Sequence, residues 1–334
     1  MTVYEFGVTS IDYKEDPTND RPNRITFSEA TTGNEQNEYK NDEAALDRHN
    51  ATYKDAAVFM TNIKHIGGAD KDGQRTFEAD AISIKDAHTA FDKKYNPDNK
   101  HVVKPLFVMH GYNNEAGYTL NLCKQKQKEL NRRANGSNKK IILIPVIWPT
   151  IGGALDYTHD RDYNVEEAAK EFKKLLGGTI AAANEFENKS LLVHSMGNQV
   201  MRELASSNVK FDNIFLAAAD VRYDIFEKEY IEKSGNDFAL QIYRMLEQDG
   251  KFKGKLYPIF NYWDYALNIS DSVAVNNIYR LGQYGIEKDK LPSSINGNHI
   301  ENFNARERLS WGNQSAHSYQ FESFLLDLYW QKMM

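Results

Sequence analysis

The chain has 334 residues, 41% of them hydrophobic, and a formal net charge of −6. This length and apolar content suffice for one large α/β domain, while the acidic balance argues against nucleic acid as the main partner, because phosphate binding needs a basic footprint. Cys123 is the single cysteine, which excludes a disulfide framework and a cysteine-built metal site, and no apolar run reaches the roughly 18 residues of a membrane span.

Residues 1–101 read as N-terminal strands and a polar extension. Segments 3–9 and 24–27 are expected to be edge strands. Segment 31–50, rich in Asn, Asp, Glu and Lys, is expected to be a loop or surface helix, and 67–73 is turn chemistry. Segment 76–84 alternates polar and apolar residues, as a half-buried strand does. A short helix at 86–91 is stopped by Asn-Pro-Asp-Asn at 96–99. Residues 1–6 lack a basic region followed by an apolar stretch, so no secretory leader is expected. A soluble cytoplasmic protein is the expectation, with peripheral membrane contact left open.

From position 102 the pattern changes. Apolar runs at 102–109, 141–148, 190–193, 214–219 and 256–262 alternate, for the most part, with amphipathic stretches at 115–134, 165–185 and 198–206. Nearly continuous apolar strands separated by helices predict a mostly parallel sheet covered on both faces. This is a doubly wound α/β architecture, whose ligands bind beyond the carboxyl ends of the strands. With no internal repeat or low-complexity linker, the chain 1–334 is expected to form one domain, with 102–334 as its core. Segments 222–255 and 271–298 are longer than tight connections need and are expected to be cap-like insertions.

The run 191–198 (LLVHSMGN) carries the sharpest signal. An apolar strand ends in His194-Ser195-Met196-Gly197 and a helical pattern follows, the local shape of a nucleophile elbow. The first glycine of the usual G-x-S-x-G is replaced by Val193. The plain structural alternative is that Ser195 caps the following helix. A second strand ends in His110-Gly111-Tyr112-Asn113-Asn114. A loop at that place donates one backbone N–H to an oxyanion and the residue after the nucleophile donates the other, which assigns the donors to Tyr112 and Met196. His110, Gly111, Asn113 and His194 are expected to line the site, with His110 ordering the loop backbone.

The base must then be a histidine after Ser195, and only His299 and His317 qualify. His317 precedes an amphipathic stretch at 321–330, after a candidate last strand at 299–304, and is preferred; His299 is the fallback. An acid is needed to orient the imidazole. Asp264 follows the strand 256–262 and is preferred over Asp220, which follows 214–219. Whichever is not the acid is expected to pair with loop backbone or Arg222. The segment 156–162 (DYTHDRD) lacks the spacing of a calcium loop and reads as a helix entrance. No metal or cofactor is expected. Tyr257, Phe260, Tyr262, Trp263 and Tyr265 read as mostly core, some lining an acyl pocket.

Taken together, the blocks 107–114 (FVMHGYNN), 146–150 (VIWPT), 191–198 (LLVHSMGN), 216–226 (LAAADVRYDIF), 263–270 (WDYALNIS), 279–282 (YRLG) and 316–319 (AHSY) resemble the bacterial α/β-hydrolase family designated DUF900. The resemblance covers roughly 102–330 and departs at Val193, Thr150 and Ala219. It implies an α/β-hydrolase fold and a Ser195, Asp264, His317 assignment. The resulting expectation is a serine hydrolase acting on a small-molecule or lipid ester. Two alternatives stand beside it: a lipase or phospholipase acting on membrane lipids, such as a toxin or defence effector, and an inactive hydrolase fold used for binding or as a scaffold.

Overall fold

The structure is a computed structural model. It describes residues 2–10, 13–15, 17–28, 57–66, 75–98, 100–112, 114, 116–150, 165–166, 168–170, 172, 186, 188–205, 209–248, 251–268, 279–310 and 316–334. The expected segments 31–50, 67–73 and 156–162, and most of 165–185, lie outside these residues, as does Asn113.

The strands are β1 (Thr2–Thr9), β2 (Tyr13–Glu15), β3 (Arg24–Ser28), β4 (Val58–Ile66), β5 (Thr76–Ile82), β6 (Val102–Met109), β7 (Lys139–Ile147), β8 (Ser190–His194), β9 (Asn213–Ala217), β10 (Glu247–Gln248), β11 (Lys251–Phe252), β12 (Lys255–Phe260) and β13 (Phe303–Asn304). β10 and β11 form a small hairpin, and the other eleven make one sheet in the order β13-β12-β9-β8-β6-β7-β1-β4-β5-β3-β2. Every pairing from β13 to β1 is parallel. The pairings from β1 to β2 are antiparallel. The first hundred residues thus extend the parallel sheet with an antiparallel wing.

Two expectations are corrected here. Neither β1 nor β3 is an edge strand: β1 lies between β7 and β4, and β3 between β5 and β2, which is the edge. Phe6 and Val8 are buried in the core on one face of the sheet and Tyr4 in the core on the other. A strand covered on both faces belongs inside a sheet. β13 also pairs over only two residues, with a single further bridge from Ile300 to Leu256.

The helices are α1 (Ile84–Tyr95), α2 (Ala116–Arg133), α3 (Gly197–Leu204), α4 (Lys228–Ser234), α5 (Phe238–Met245), α6 (Leu281–Tyr284) and α7 (Ser323–Met333). α1 starts where Ser83 accepts a hydrogen bond from Asp86 N, satisfying a free helix-end donor. Strand residues sort by period two. Phe107, Met109, Leu191, Val193, Ile214 and Leu216 enter one core with α1, α3 and α5. Leu106, Val108, Leu192, Phe215 and Ala217 enter the other with α2 and α7. The sheet is therefore wound on both sides, as expected.

The strand order places the site. From β6 the chain runs to β7 on one side and then to β8, β9 and β12 on the other. Such a reversal opens a crevice at the carboxyl ends of the two strands that flank it, here β6 and β8. α5 does not act as a lid over it. Phe238, Ile242 and Met245 are buried in the same core as Val200 and Met201. Met245 O accepts from Phe211 N, next to the amino end of β9. Among the described residues no helix is long and apolar enough to cross a membrane.

Candidate active site

Ser195 sits directly after β8 with φ of 52°, a left-handed conformation that costs a non-glycine residue strain and persists only where the surroundings impose it. Those surroundings are hydrogen bonds. Ser195 N donates to Ala217 O at 3.0 Å, and Ser195 O accepts from Asn198 N at 3.0 Å and Asp220 N at 3.3 Å. The Asn198 side-chain amide donates to the same oxygen at 2.9 Å and to Val193 O at 3.4 Å. Val193 is fully buried within the core, so its side chain packs without displacing the turn.

Gly111 and Gly197 let the two strand ends meet. A Cβ on Gly111 would stand 2.6 Å from Ser195 Cβ, and one on Gly197 would stand 2.5 Å from His110 O. Both distances are far inside van der Waals contact, so only glycine fits without displacement. Tyr112 follows the first of these contacts in sequence, and Met196 directly precedes α3.

The Ser195 hydroxyl does not cap α3. No side-chain cap bond is made at that helix start. Oγ lies instead 2.7 Å from His317 Nε2. His317 Nδ1 lies 2.9 and 2.8 Å from the two oxygens of Asp264. A carboxylate only accepts, so Nδ1 carries the proton and Nε2 presents its lone pair to the serine hydroxyl. Asp264 is fully buried, and one of its oxygens also accepts from Leu267 N at 3.2 Å. Three residues, separated by 69 and 53 positions along the chain, thus form one hydrogen-bonded chain.

The rival residues lie elsewhere. Asp220 faces Arg280, with Oδ1 3.4 Å from Nε and both side chains nearly buried; its backbone carbonyl accepts from Gln199. The expected Arg222 partner is a correction: Arg222 pairs with Asp224 at 2.7 Å. Of the two cations, Arg280 is buried and Arg222 is only half-buried. His299 Nδ1 contacts Gly254 O at 3.1 Å, one residue before β12 begins and so at the opposite end of the sheet.

His110 orders the loop, as expected. Trp148 N donates to its Nε2 at 3.1 Å, so Nδ1 carries the proton and donates to Gly111 O at 2.8 Å. Trp148 Nε1 returns a bond to His110 O at 2.9 Å, and the two rings stack at 5.4 Å. Burial lowers the His110 pKa to about 4 and that of His194 to about 3, because desolvation disfavours the imidazolium. Both rings are neutral near pH 7.

Two polar residues at the site carried no role in the sequence reading. Asn198 holds the elbow. Asn261 donates from Nδ2 to Ala316 O at 3.1 Å, accepts from Trp263 N at 3.2 Å, and its carbonyl accepts from Asp264 N at 3.0 Å. The available signal was local: an asparagine three residues after the serine, and another three before the aspartate. Among the described residues no group of three or more His, Cys, Asp or Glu side chains is placed to hold a metal ion.

The family match agrees with this architecture. Residues 84–324 match the family described as "Alpha/beta hydrolase of unknown function (DUF900)". Solved structures similar to the chain include a lipase-esterase related protein from Clostridium acetobutylicum ATCC 824, at 10% identity over 80% of this chain and 97% of that one, with a TM-score of 0.32. Another is the peroxisomal alpha-beta-hydrolase Lpx1 from Saccharomyces cerevisiae, at 10% identity over 96% of this chain and 90% of that one, with a TM-score of 0.37. No curated protein matches the chain. With nearly three quarters of its length matched, the chain belongs to the DUF900 family of α/β hydrolases.

Proposed function

We propose that this protein is a serine hydrolase that cleaves a carboxylic ester through an acyl-enzyme. The reading rests on one observation above all: Ser195 Oγ, His317 and buried Asp264 stand in hydrogen-bond contact at 2.7 and 2.8 Å. In this mechanism Ser195 Oγ attacks the ester carbonyl carbon while His317 Nε2 takes the hydroxyl proton. Asp264 stabilises the imidazolium so formed and keeps Nδ1 protonated. The N–H groups of Tyr112 and Met196 receive the developing oxyanion, aided by the positive end of α3. Collapse of the tetrahedral intermediate breaks the C–O bond, and His317 gives its proton to the departing alkoxide. Water, deprotonated by His317, then attacks the acyl carbon and releases the acid and Ser195.

The test is covalent labelling with a fluorophosphonate. The wild type should label at one site and Ser195→Ala should not; labelling of the alanine variant at full stoichiometry would refute the nucleophile. A panel of acyl esters of increasing chain length then reads the substrate class.

One observation favours an ester with a bulky apolar part, membrane lipid included. Tyr262, Trp263 and Tyr265, expected to lie mostly in the core, are instead exposed because they follow β12 beyond the sheet, and with Tyr279 they flank Asp264 and α6 at the carboxyl ends of the strands. Release of fatty acid from phosphatidylcholine vesicles, faster than hydrolysis of short soluble esters, is the result this second reading expects.

A further inference from the structure

His194 closes β8 and is buried beside the reacting pair. Its Nε2 lies 3.1 Å from the backbone carbonyl oxygen of His317. A carbonyl only accepts, so Nε2 carries the proton and donates it. Nδ1 is then a bare lone pair, buried and without a hydrogen-bond partner among the described residues. It faces Gly111, where a Cβ would stand 3.0 Å away. The rings of His194 and His317 have centroids 4.8 Å apart. Burial keeps His194 neutral; the charges of His317 and His110 push the same way, and only the hydrogen bond to the His317 carbonyl opposes them. One residue earlier, Ala316 O accepts from the Asn261 side chain at 3.1 Å. Two consecutive carbonyls are therefore gripped by side chains from the ends of two strands, β8 and β12.

We infer that His194 is a positioning residue: its Nε2–H and the Asn261 amide clasp the 316–317 backbone and set where His317 presents Nε2 to Ser195. The inference rests on the reading of Ser195 and His317 as the reacting pair. Asp264 and Ser195 bond only the His317 ring, whereas the clasp holds its main chain. A neutral donor suits the task. A lysine or arginine would reach the same carbonyl but set a second cation against the imidazolium that forms on His317, and like charges at this range repel.

The experiment compares His194→Leu, His194→Asn and His194→Gln with the wild type. The amide nitrogen of glutamine reaches the place of imidazole Nε2; that of asparagine falls short. The first readout is the rate constant for fluorophosphonate labelling of Ser195. The leucine and asparagine variants should label roughly ten- to hundredfold more slowly, the range expected for a displaced reacting group, and glutamine should restore most of the rate. The second readout is the NMR resonance of the His317 Nδ1 proton, which lies far downfield while it is bonded to Asp264. It should move upfield in the leucine and asparagine variants, because a loosened contact weakens that bond. Wild-type labelling by the leucine and asparagine variants, or a glutamine variant no faster than asparagine, overturns the clasp. If leucine prevents folding, the two amides still carry the comparison. If the wild type itself fails to label, the hydrolase reading fails, and an unmoved His317 Nδ1 proton resonance then separately overturns the clasp.

Discussion

A Cβ placed on Gly111 would stand 2.6 Å from Cβ of Ser195. The loop after β6 and the elbow after β8 are packed backbone against side chain, with no room for one methyl group. In the proposed mechanism this contact sets the place of Tyr112, whose N–H is the oxyanion donor next along the chain.

Gly111→Ala should therefore disable the site more than the fold. Losing one oxyanion donor typically costs ~10²–10³ in rate, and a fall of that size in fluorophosphonate labelling is expected. Near-wild-type labelling in a folded sample would show that the loop yields easily.

Asp264→Asn and Asp220→Asn should fail in different ways. Asparagine at 264 removes the acceptor that fixes the His317 tautomer, a change worth about 10⁴ in rate where such a chain is catalytic, with thermal stability falling little. Asparagine at 220 leaves Arg280 buried without its carboxylate, and breaking a buried pair costs about 3–5 kcal/mol. Labelling kinetics and urea denaturation on both proteins separate the roles. Full activity of the Asp264 variant would move the acid role elsewhere.

Asn198 should be a stability hot spot despite lying outside the reacting chain. Asn198→Ala removes the amide donor to Ser195 O and Val193 O, at a cost of about 1–3 kcal/mol. Asn198→Asp should be worse, because a buried carboxylate would face two carbonyl oxygens. Melting temperatures are expected to fall in the order wild type, alanine, aspartate.

Stability should decline with acid in a window set by His110 and His194. Their folded pKa values, about 4 and about 3, lie below the ordinary histidine value near 6.5. The native state thus binds fewer protons than the unfolded chain in this range. The stabilisation is fully present above about pH 6.5 and is lost as the pH falls toward the folded values, at about 1.4 kcal/mol per pH unit for each ring. Urea unfolding at pH 7.5, 6 and 5 reads the slope, and His194→Gln should reduce it by one proton. An unchanged slope in that variant would show that His194 is already charged or solvated in the native state.

The sequence by itself determined the parallel strands, the elbow at Ser195 and the helix boundaries near 116–133 and 323–333, because each follows from short-range periodicity and turn chemistry. Val102–Met109 matches its strand residue for residue, and its buried second half, Leu106–Met109, is apolar throughout because both of its faces are covered. The antiparallel wing was misjudged: β1 reads like any short strand, and its central place comes from pairing with β7 and β4, which lie far along the chain. The choice between Asp264 and Asp220 was likewise a matter of tertiary structure. Both follow apolar strands, both are buried, and nothing local distinguishes them. What separates them is the partner each meets across the sheet end, His317 for one and Arg280 for the other. Side-chain partners of this kind depend on strand order and on distant loops converging, and no window of sequence contains that information.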